Sequence, residues 1–373
     1  MFFLTPARLT APKAPRRLPR AALLAAAMVL SACAPRAEWS LMNPSAPGAD
    51  SGGAQFEVLA VTTRARLAPD ANIFTAARSA VPGHALFAIA AAPGRASGQI
   101  MPPALVVERQ AILTSRAALL DRLAARPDMT DVGLFVHGYN MNFPESLLRT
   151  AQLAADDVLP GAPVLFAWPS EARMQGYLHD RDSVTASRDA LADLLTDLAR
   201  DRRLGRIDVL AHSMGAWLTV EALRQLRLAG RTDVLGQLSV TLAAPDIDVD
   251  VFAAQMAVIG PMRQPMKILV APDDRALILS SRISGERVRL GMMDVADPRV
   301  GRIAAAYNIA VIDISEMQAT DGLRHDRYAG LGSAASPRTQ VNDLRRAGAY
   351  VVTAVGGLVA APFDVLEGAL SPD

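Results

Sequence analysis

Residues 206–218 read RIDVLAHSMGAWL, an apolar run that breaks at His212-Ser213-Met214-Gly215 and resumes with helical spacing. Two uses of Ser213 are open. Its hydroxyl can cap the following helix by accepting a hydrogen bond from the first helical N–H groups. Alternatively, it is a nucleophile on a tight turn between strand and helix, where side chains two before and two after the serine would strike neighbouring elements. Gly215 meets that steric demand, and Ala211 stands where a glycine is usual and adds one methyl. A serine hydroxyl attacks only if a base takes its proton and an acid orients that base. Downstream of Ser213 there is a single histidine, His325, in the segment DGLRHDRYAG. In the chain order Ser, Asp or Glu, His, it is the expected base. His212 adjoins the serine, and neighbouring side chains diverge on a sharp turn. His179 and His84 precede the serine in the chain.

The acid has more than one candidate. Asp273 and Asp274, in APDDRAL, follow the apolar run MKILV; Asp246 and Asp248, in APDIDVD, follow the run before it. Asp274 is preferred because it immediately precedes the helical RALILSSR. The alternatives are Asp273, with Asp274 only capping that helix, and Asp246. Two N–H groups must converge on the negative charge that develops in acyl transfer. Met214 supplies one, at a helix N-terminus whose dipole favours an anion. The loop His137-Gly138-Tyr139 supplies the other, assigned to Tyr139. His137 itself is expected to be structural. Trp168-Pro169-Ser170 has two uses open, lining a substrate pocket or packing at a strand end. No His, Cys, Asp or Glu cluster has the spacing of metal ligands, so neither metal nor cofactor is expected.

Positioning these residues requires alternating strands and helices. From Phe56 onward apolar runs alternate with helical patterns, which predicts a mostly parallel sheet covered by helices. FEVLAVTT and ALVVER are expected as early strands, antiparallel at the sheet edge. DVGLFVHGYN, APVLFAWPS, RIDVLAHS, QLSVTLAAPDID, MKILVAPDD and NIAVIDIS are expected as buried strands, each ending in a polar loop. ESLLRTAQLAADDVL, residues 183–204 and MGAWLTVEALRQLRLAG have helical spacing, the last stopping at Gly230. Ligands bind such sheets at the carboxyl ends of the strands, where the polar loops lie.

VHGYN, FAWPS, the pair Tyr177 and Asp180, AHSMG, LAAPDID and DDRAL, in this order, resemble the α/β-hydrolase superfamily, and more narrowly a bacterial family of α/β hydrolases of unknown function. The resemblance spans roughly residues 56–328. It implies an α/β fold with a mostly parallel central sheet, helices on both faces and a catalytic apparatus, and it implies no substrate. The expected activity is that of a serine hydrolase acting on small-molecule or lipid carboxylic esters through an acyl-enzyme. The alternative is an envelope lipoprotein that keeps the fold as a binding scaffold with little turnover.

The N-terminus speaks to location. Arg8, Lys13, Arg16, Arg17 and Arg20 precede the apolar AALLAAAMVL, and Leu30-Ser31-Ala32-Cys33 follows it, in the order of an export signal. Ten apolar residues are too few to span a bilayer, which takes about 20. LSAC resembles the lipobox of bacterial lipoproteins, and Cys33 is the only cysteine of the chain, so it is the expected lipidation site. Residues 1–32 are then a signal peptide, 33–55 a Pro-, Gly- and Ser-rich tether, and 56–373 the hydrolase domain. Alanine rather than aspartate after Cys33 points to the outer membrane, facing the periplasm. Without the five N-terminal basic residues, 33 of the 38 lysines and arginines stand against 37 acidic residues. This mildly acidic balance excludes nucleic acid as a partner. The C-terminal stretch 349–370 is expected as a short docked helix, too short to span a membrane.

Overall fold

Along Val132–Val136 the side chains alternate between two apolar cores: Leu134 and Val136 enter one, Phe135 the other. Ala162–Ala167 divides in the same way, Val164 and Phe166 to the first core and Leu165 and Ala167 to the second. Strands apolar on both sides must be covered on both faces, and this places helices above and below the sheet. The computed structural model describes residues 36–43, 54–92, 94, 95, 99, 104–126, 129–331, 351 and 352. By its internal contacts the chain divides into Met1–Arg36, of which only Arg36 is described, and Ala37–Asp373, which holds every element named here.

In chain order the elements are β1 (Gln55–Arg66), β2 (Phe74–Ala91), β3 (Leu105–Leu113), α1 (Arg116–Ala124), β4 (Val132–Val136), α2 (Phe143–Ala155), β5 (Ala162–Ala167), α3 (Tyr177–Arg200), β6 (Ile207–His212), α4 (Met214–Leu228), α5 (Thr232–Leu235), β7 (Leu238–Ala243), α6 (Val249–Ile259), β8 (Met266–Val270), α7 (Arg275–Ile283), α8 (Pro298–Tyr307), β9 (Ile309–Asp313) and β10 (Val351–Val352). The sheet runs β10-β9-β8-β7-β6-β4-β5-β1-β2-β3. From β9 across to β1 every pairing is parallel, and the outer strands β2, β3 and β10 are antiparallel to their neighbours. α3, α4, α6 and α8 bury their apolar residues in the first core, while α2 packs in the second with Tyr328. The fold is a mostly parallel α/β sheet with helices on both faces.

After β4 the chain turns to β5 on one side, and after β5 it crosses to β6 on the other. The loops after β4 and β6 therefore diverge, and such a switch point leaves a crevice at the carboxyl ends of the strands.

Three expectations need correction. β1 lies inside the sheet rather than at its edge, and pairs parallel with β5, Leu59 opposite Val164. The reason is burial: Val58 and Ala60 enter one core, Leu59 and Val61 the other. The antiparallel edge is made instead by β3 and by β2, a strand not anticipated. Its Ser79, Pro82 and Gly83 fall where the register jumps from Thr62 opposite Gly83 to Arg64 opposite Arg78, a place where a strand tolerates proline. α3 begins at Tyr177, six residues before the expected start, with Asp180 in its first turn, where a carboxylate suits the helix dipole.

Among the described residues no helix is long and apolar enough to cross a membrane. Cys33 and the segments assigned to signal and tether lie outside the described residues, apart from 36–43, 54 and 55; of these, Ala37, Trp39 and Met42 pack in the second core and Gln55 opens β1, where a free tether was expected. The expected C-terminal helix also lies outside them, except Val351–Val352, which pairs with β9 as a strand.

Candidate active site

β6 delivers Ser213 to the carboxyl edge of the sheet, and α4 begins at the next residue. The turn is tight: Ser213 has φ 53° and ψ −120°, in the left-handed region that side chains disfavour. It is held there by its own N–H donating to Ala243 O at 2.9 Å, and by the Asp246 N–H donating to its carbonyl at 3.2 Å. Its side chain makes no capping bond to the helix that follows. Of the two uses open to Ser213, capping is therefore not the one found. The steric demand on Gly215 is severe, since a Cβ there would lie 2.3 Å from His137 O and 2.6 Å from Val136 O. Ser213 is itself buried, and so is Ala211.

His325 comes from the loop after β9. Its Nδ1 lies 2.6 Å from Oδ2 of Asp274, which stands at the carboxyl end of β8. The other oxygen of Asp274 accepts the Leu277 N–H at 3.0 Å and so caps α7. Asp274 thus makes both contacts, to His325 and to α7, which only the alternative assignment divided between Asp273 and Asp274. Asp273 points elsewhere, receiving Arg327 at 2.7 and 2.9 Å and Arg324 at 2.6 Å. Both arginines flank His325 in sequence, so Asp273 ties down the loop that carries it. The same loop closes on Asp326, which accepts the N–H groups of Thr320 and Asp321 and pairs with Arg149 of α2. Asp321 in turn accepts the His325 N–H at 2.8 Å. Burial works to lower the His325 pKa, but the carboxylates of Asp274, Asp321 and Asp246 override it and hold the imidazole up at about 9.

The carboxylate of Asp246, the third candidate for the acid, is hydrogen-bonded to a different set of buried side chains. It accepts Ser280 Oγ at 2.6 Å and the Tyr177 hydroxyl at 3.0 Å, and pairs with Arg289 at 3.2 Å. His212 packs between the rings of His325 and Tyr328, each 4.5 Å away. Its Nε2 faces the His325 carbonyl at 3.2 Å. A carbonyl only accepts, so this nitrogen carries the hydrogen. Burial, with the charge of His325 behind it, holds His212 well below its ordinary pKa, hence neutral. It thereby fastens the elbow to the loop of His325, a role sequence reasoning missed because that loop returns from more than 100 residues away. His179 lies on α3 and His84 on β2.

Tyr139 follows β4, its ring edge-on to Tyr177 at 5.4 Å and its hydroxyl donating to the carbonyls of Met174 and Arg173. Met214 is the first residue of α4, where a backbone N–H has no acceptor within the helix. Gly138 sits against the elbow, because a Cβ on it would meet His212 Nδ1 at 2.7 Å and Ser213 Cβ at 3.0 Å. His137 is structural: fully buried, stacked on Trp168 at 4.8 Å and facing the carbonyls of Gly138 and Trp168. Burial, then the charge of Arg64, lowers it to about 3. Trp168 is also fully buried, and its Nε1 donates to His137 O at 2.7 Å, so this aromatic packs rather than lines a pocket. Ser170 is buried and bonded to Asp180.

Clefts of about 300 and about 360 Å³ open beside β2 and β3, but Ser213, Asp274 and His325 line neither. Among the described residues no group of three or more His, Cys, Asp or Glu side chains could hold a metal ion.

Comparison with known proteins agrees with the fold. The family model described as "Alpha/beta hydrolase of unknown function (DUF900)" matches residues 114–340, more than half of the chain. An uncharacterized protein of Nostoc sp. (strain PCC 7120), alr1448, is 27% identical over 153 residues. That similarity covers 34% of this chain and 38% of the relative, so the two share only part of their lengths. The family match runs from the end of β3 to beyond His325 and takes in β4 to β9 with every loop of the candidate site, and the chain belongs to this family of α/β hydrolases of unknown function.

Proposed function

We propose that this chain is a serine hydrolase that cleaves carboxylic esters through an acyl-enzyme. The observation that carries the reading is Ser213, held at φ 53° with a hydroxyl that caps nothing, at the carboxyl edge of a parallel sheet. Strain of this kind persists only where the surroundings enforce it. Asp274, on Nδ1 of His325, takes the Nδ1–H and leaves Nε2 as the reacting nitrogen. In acylation the Ser213 oxygen bonds to the ester carbon, its proton passes to His325 Nε2, and the carbonyl electron pair moves onto oxygen. The N–H groups of Met214 and Tyr139 receive that charge. When the carbonyl reforms, the alcohol departs with the proton from His325. Water then repeats the sequence and frees the acid.

The second reading, a binding scaffold with little turnover, has one observation in its favour. A histidine held up at about 9 is mostly protonated at neutral pH, and only its small neutral fraction takes up a proton. The two readings separate in pre-steady-state hydrolysis of p-nitrophenyl acetate from pH 7 to 10. An enzyme gives a burst of p-nitrophenol whose rate grows with pH and whose amplitude approaches the concentration of Ser213; a scaffold gives none at any pH.

For location, the basic, apolar and LSAC segments support export to the bacterial cell envelope and anchoring through acylated Cys33. A single acyl chain holds a membrane only marginally, and stable anchoring takes two or more. In this reading the outer membrane holds acylated Cys33, while Ala37, Trp39 and Met42 pack with the hydrolase domain, and the domain works in the periplasm.

A further inference from the structure

Arg64 of β1 and Asp180 of α3 are buried, carry opposite charges and hold the same two loops. Arg64 donates from Nη2 to the Met141 carbonyl at 2.8 Å and from Nη1 to the Ser170 carbonyl at 3.1 Å. Asp180 accepts the Ser170 hydroxyl at 2.6 Å, the Glu171 N–H at 2.7 Å and the Asn140 N–H. The cation takes only acceptors and the anion only donors, so each loop is gripped through both of its polarities.

The grip on the loop after β4 falls at Asn140 and Met141, directly beyond Tyr139. Asn140 sits at φ 58°, a strained conformation for a residue with a side chain. The arrangement is costly. Burial drives Arg64 down to about 10 and pushes Asp180 above the usual carboxylate range. Apolar side chains of like volume often stabilise such a place better than a buried charge pair. What they lack is the fork of donors and acceptors that fixes two backbones at once.

We propose that Arg64 and Asp180 are positioning residues that set the Tyr139 N–H where a tetrahedral oxyanion needs it. This rests on the reading of Ser213 as a hydrolytic nucleophile. The consequence is specific to the transition state: ground-state binding is spared, and stabilisation of the tetrahedral species is lost.

The test compares the full chain with Arg64→Lys and Asp180→Asn, each normalised to sites titrated with a fluorophosphonate. Lysine keeps the charge but cannot fork to both carbonyls. A displaced oxyanion donor should lower kcat per titrated site by about 10- to 100-fold, with KM changed by less than about threefold. The inhibition constant of phenylboronic acid, which forms a tetrahedral serine adduct, should rise by a similar factor. A lesion that only unfolds part of the sample reduces the titrated sites and leaves kcat per site intact. Should the charge variants fail to fold, Ser170→Ala, which keeps both charges and removes one hydroxyl from Asp180, should show the same pattern on a smaller scale. Unchanged kcat per site in folded variants, or a loss confined to KM, overturns the proposal. A wild-type chain that the fluorophosphonate does not label overturns the Ser213 reading first, and this one with it.

Discussion

Asp273 and Asp274 are adjacent in the chain and face different partners: Asp273 receives Arg327 at 2.7 and 2.9 Å, and Asp274 receives His325 at 2.6 Å. Both partners lie in one loop, so one carboxylate fastens the loop while the other sets its histidine. The neutral amide of asparagine separates these jobs, because asparagine caps a helix as well as aspartate does. Asp274→Asn should keep the fold and lower kcat by about 10³- to 10⁴-fold, since the imidazole loses the partner that fixes its tautomer. Asp273→Asn should keep most activity and lower stability by about 1 kcal/mol, the scale of a partly exposed ion pair. Steady-state kinetics and urea unfolding on both variants decide the assignment, and equal small losses in kcat would move the acid to Asp246.

The pH profile follows from His325. Only the neutral imidazole takes up a proton, so kcat/KM should climb through neutral pH and level off above about 9. In Asp274→Asn the largest upward influence is gone, and whatever activity survives should level off at lower pH. Stability runs the other way. The folded pKa lies above the ordinary value of 6.5, so the bound proton stabilises the fold fully below pH 6.5. That contribution fades as pH rises through about 9. A kcat/KM profile already flat between pH 6 and 8 would contradict the geometry around His325.

Gly215 gives a purely steric prediction. A methyl placed 2.3 Å and 2.6 Å from two backbone oxygens has no flexible neighbour to push aside. Gly215→Ala should therefore destabilise the domain by about 3 kcal/mol or more, at the upper end of overpacking costs. Ala211→Gly at the other flank removes only a methyl and should cost about 1 kcal/mol. Urea midpoints of the two variants make the comparison, and a stable Gly215→Ala chain would mean that the turn is not as tight as drawn.

Legibility in the sequence tracked the range of the forces involved. Gly215 could be read because its constraint is local, one turn of backbone against the next. Strands β4 to β9 could be read because each is apolar on both faces. β2 was hidden by Pro82 and Gly83, which sit in a register break that only pairing with β1 reveals. Arg64 carries no signal in the sequence, and it is a buried fork because β1 lies against β5. Asp273 and Asp274 could not be ranked with certainty from spacing, because the turn from Ala271 to Asp274 decides which carboxylate meets His325. His212 could be rejected as a base by adjacency alone. Its hold on the His325 carbonyl needed the final loop to fold back.

The N-terminal proposal is tested apart from the chemistry. Cys33 is the only thiol, so Cys33→Ser should leave the exported protein without acylation and out of the detergent phase. Mass spectrometry of the mature N-terminus should find Cys33 as first residue, carrying acyl chains. An unmodified Cys33, or cleavage at another position, would contradict the anchor and leave the hydrolase reading standing.

Covalent labelling of Ser213 tests the proposed nucleophile itself. A fluorophosphonate reacts only with a serine whose proton is taken by a neighbouring base. At pH 8 to 9 one adduct per chain is expected, mapped by mass spectrometry to the peptide containing Ser213. It should be absent in Ser213→Ala and lost in His325→Ala. No adduct on folded wild-type chain, an adduct on another serine, or full labelling of His325→Ala would contradict the Ser213 assignment.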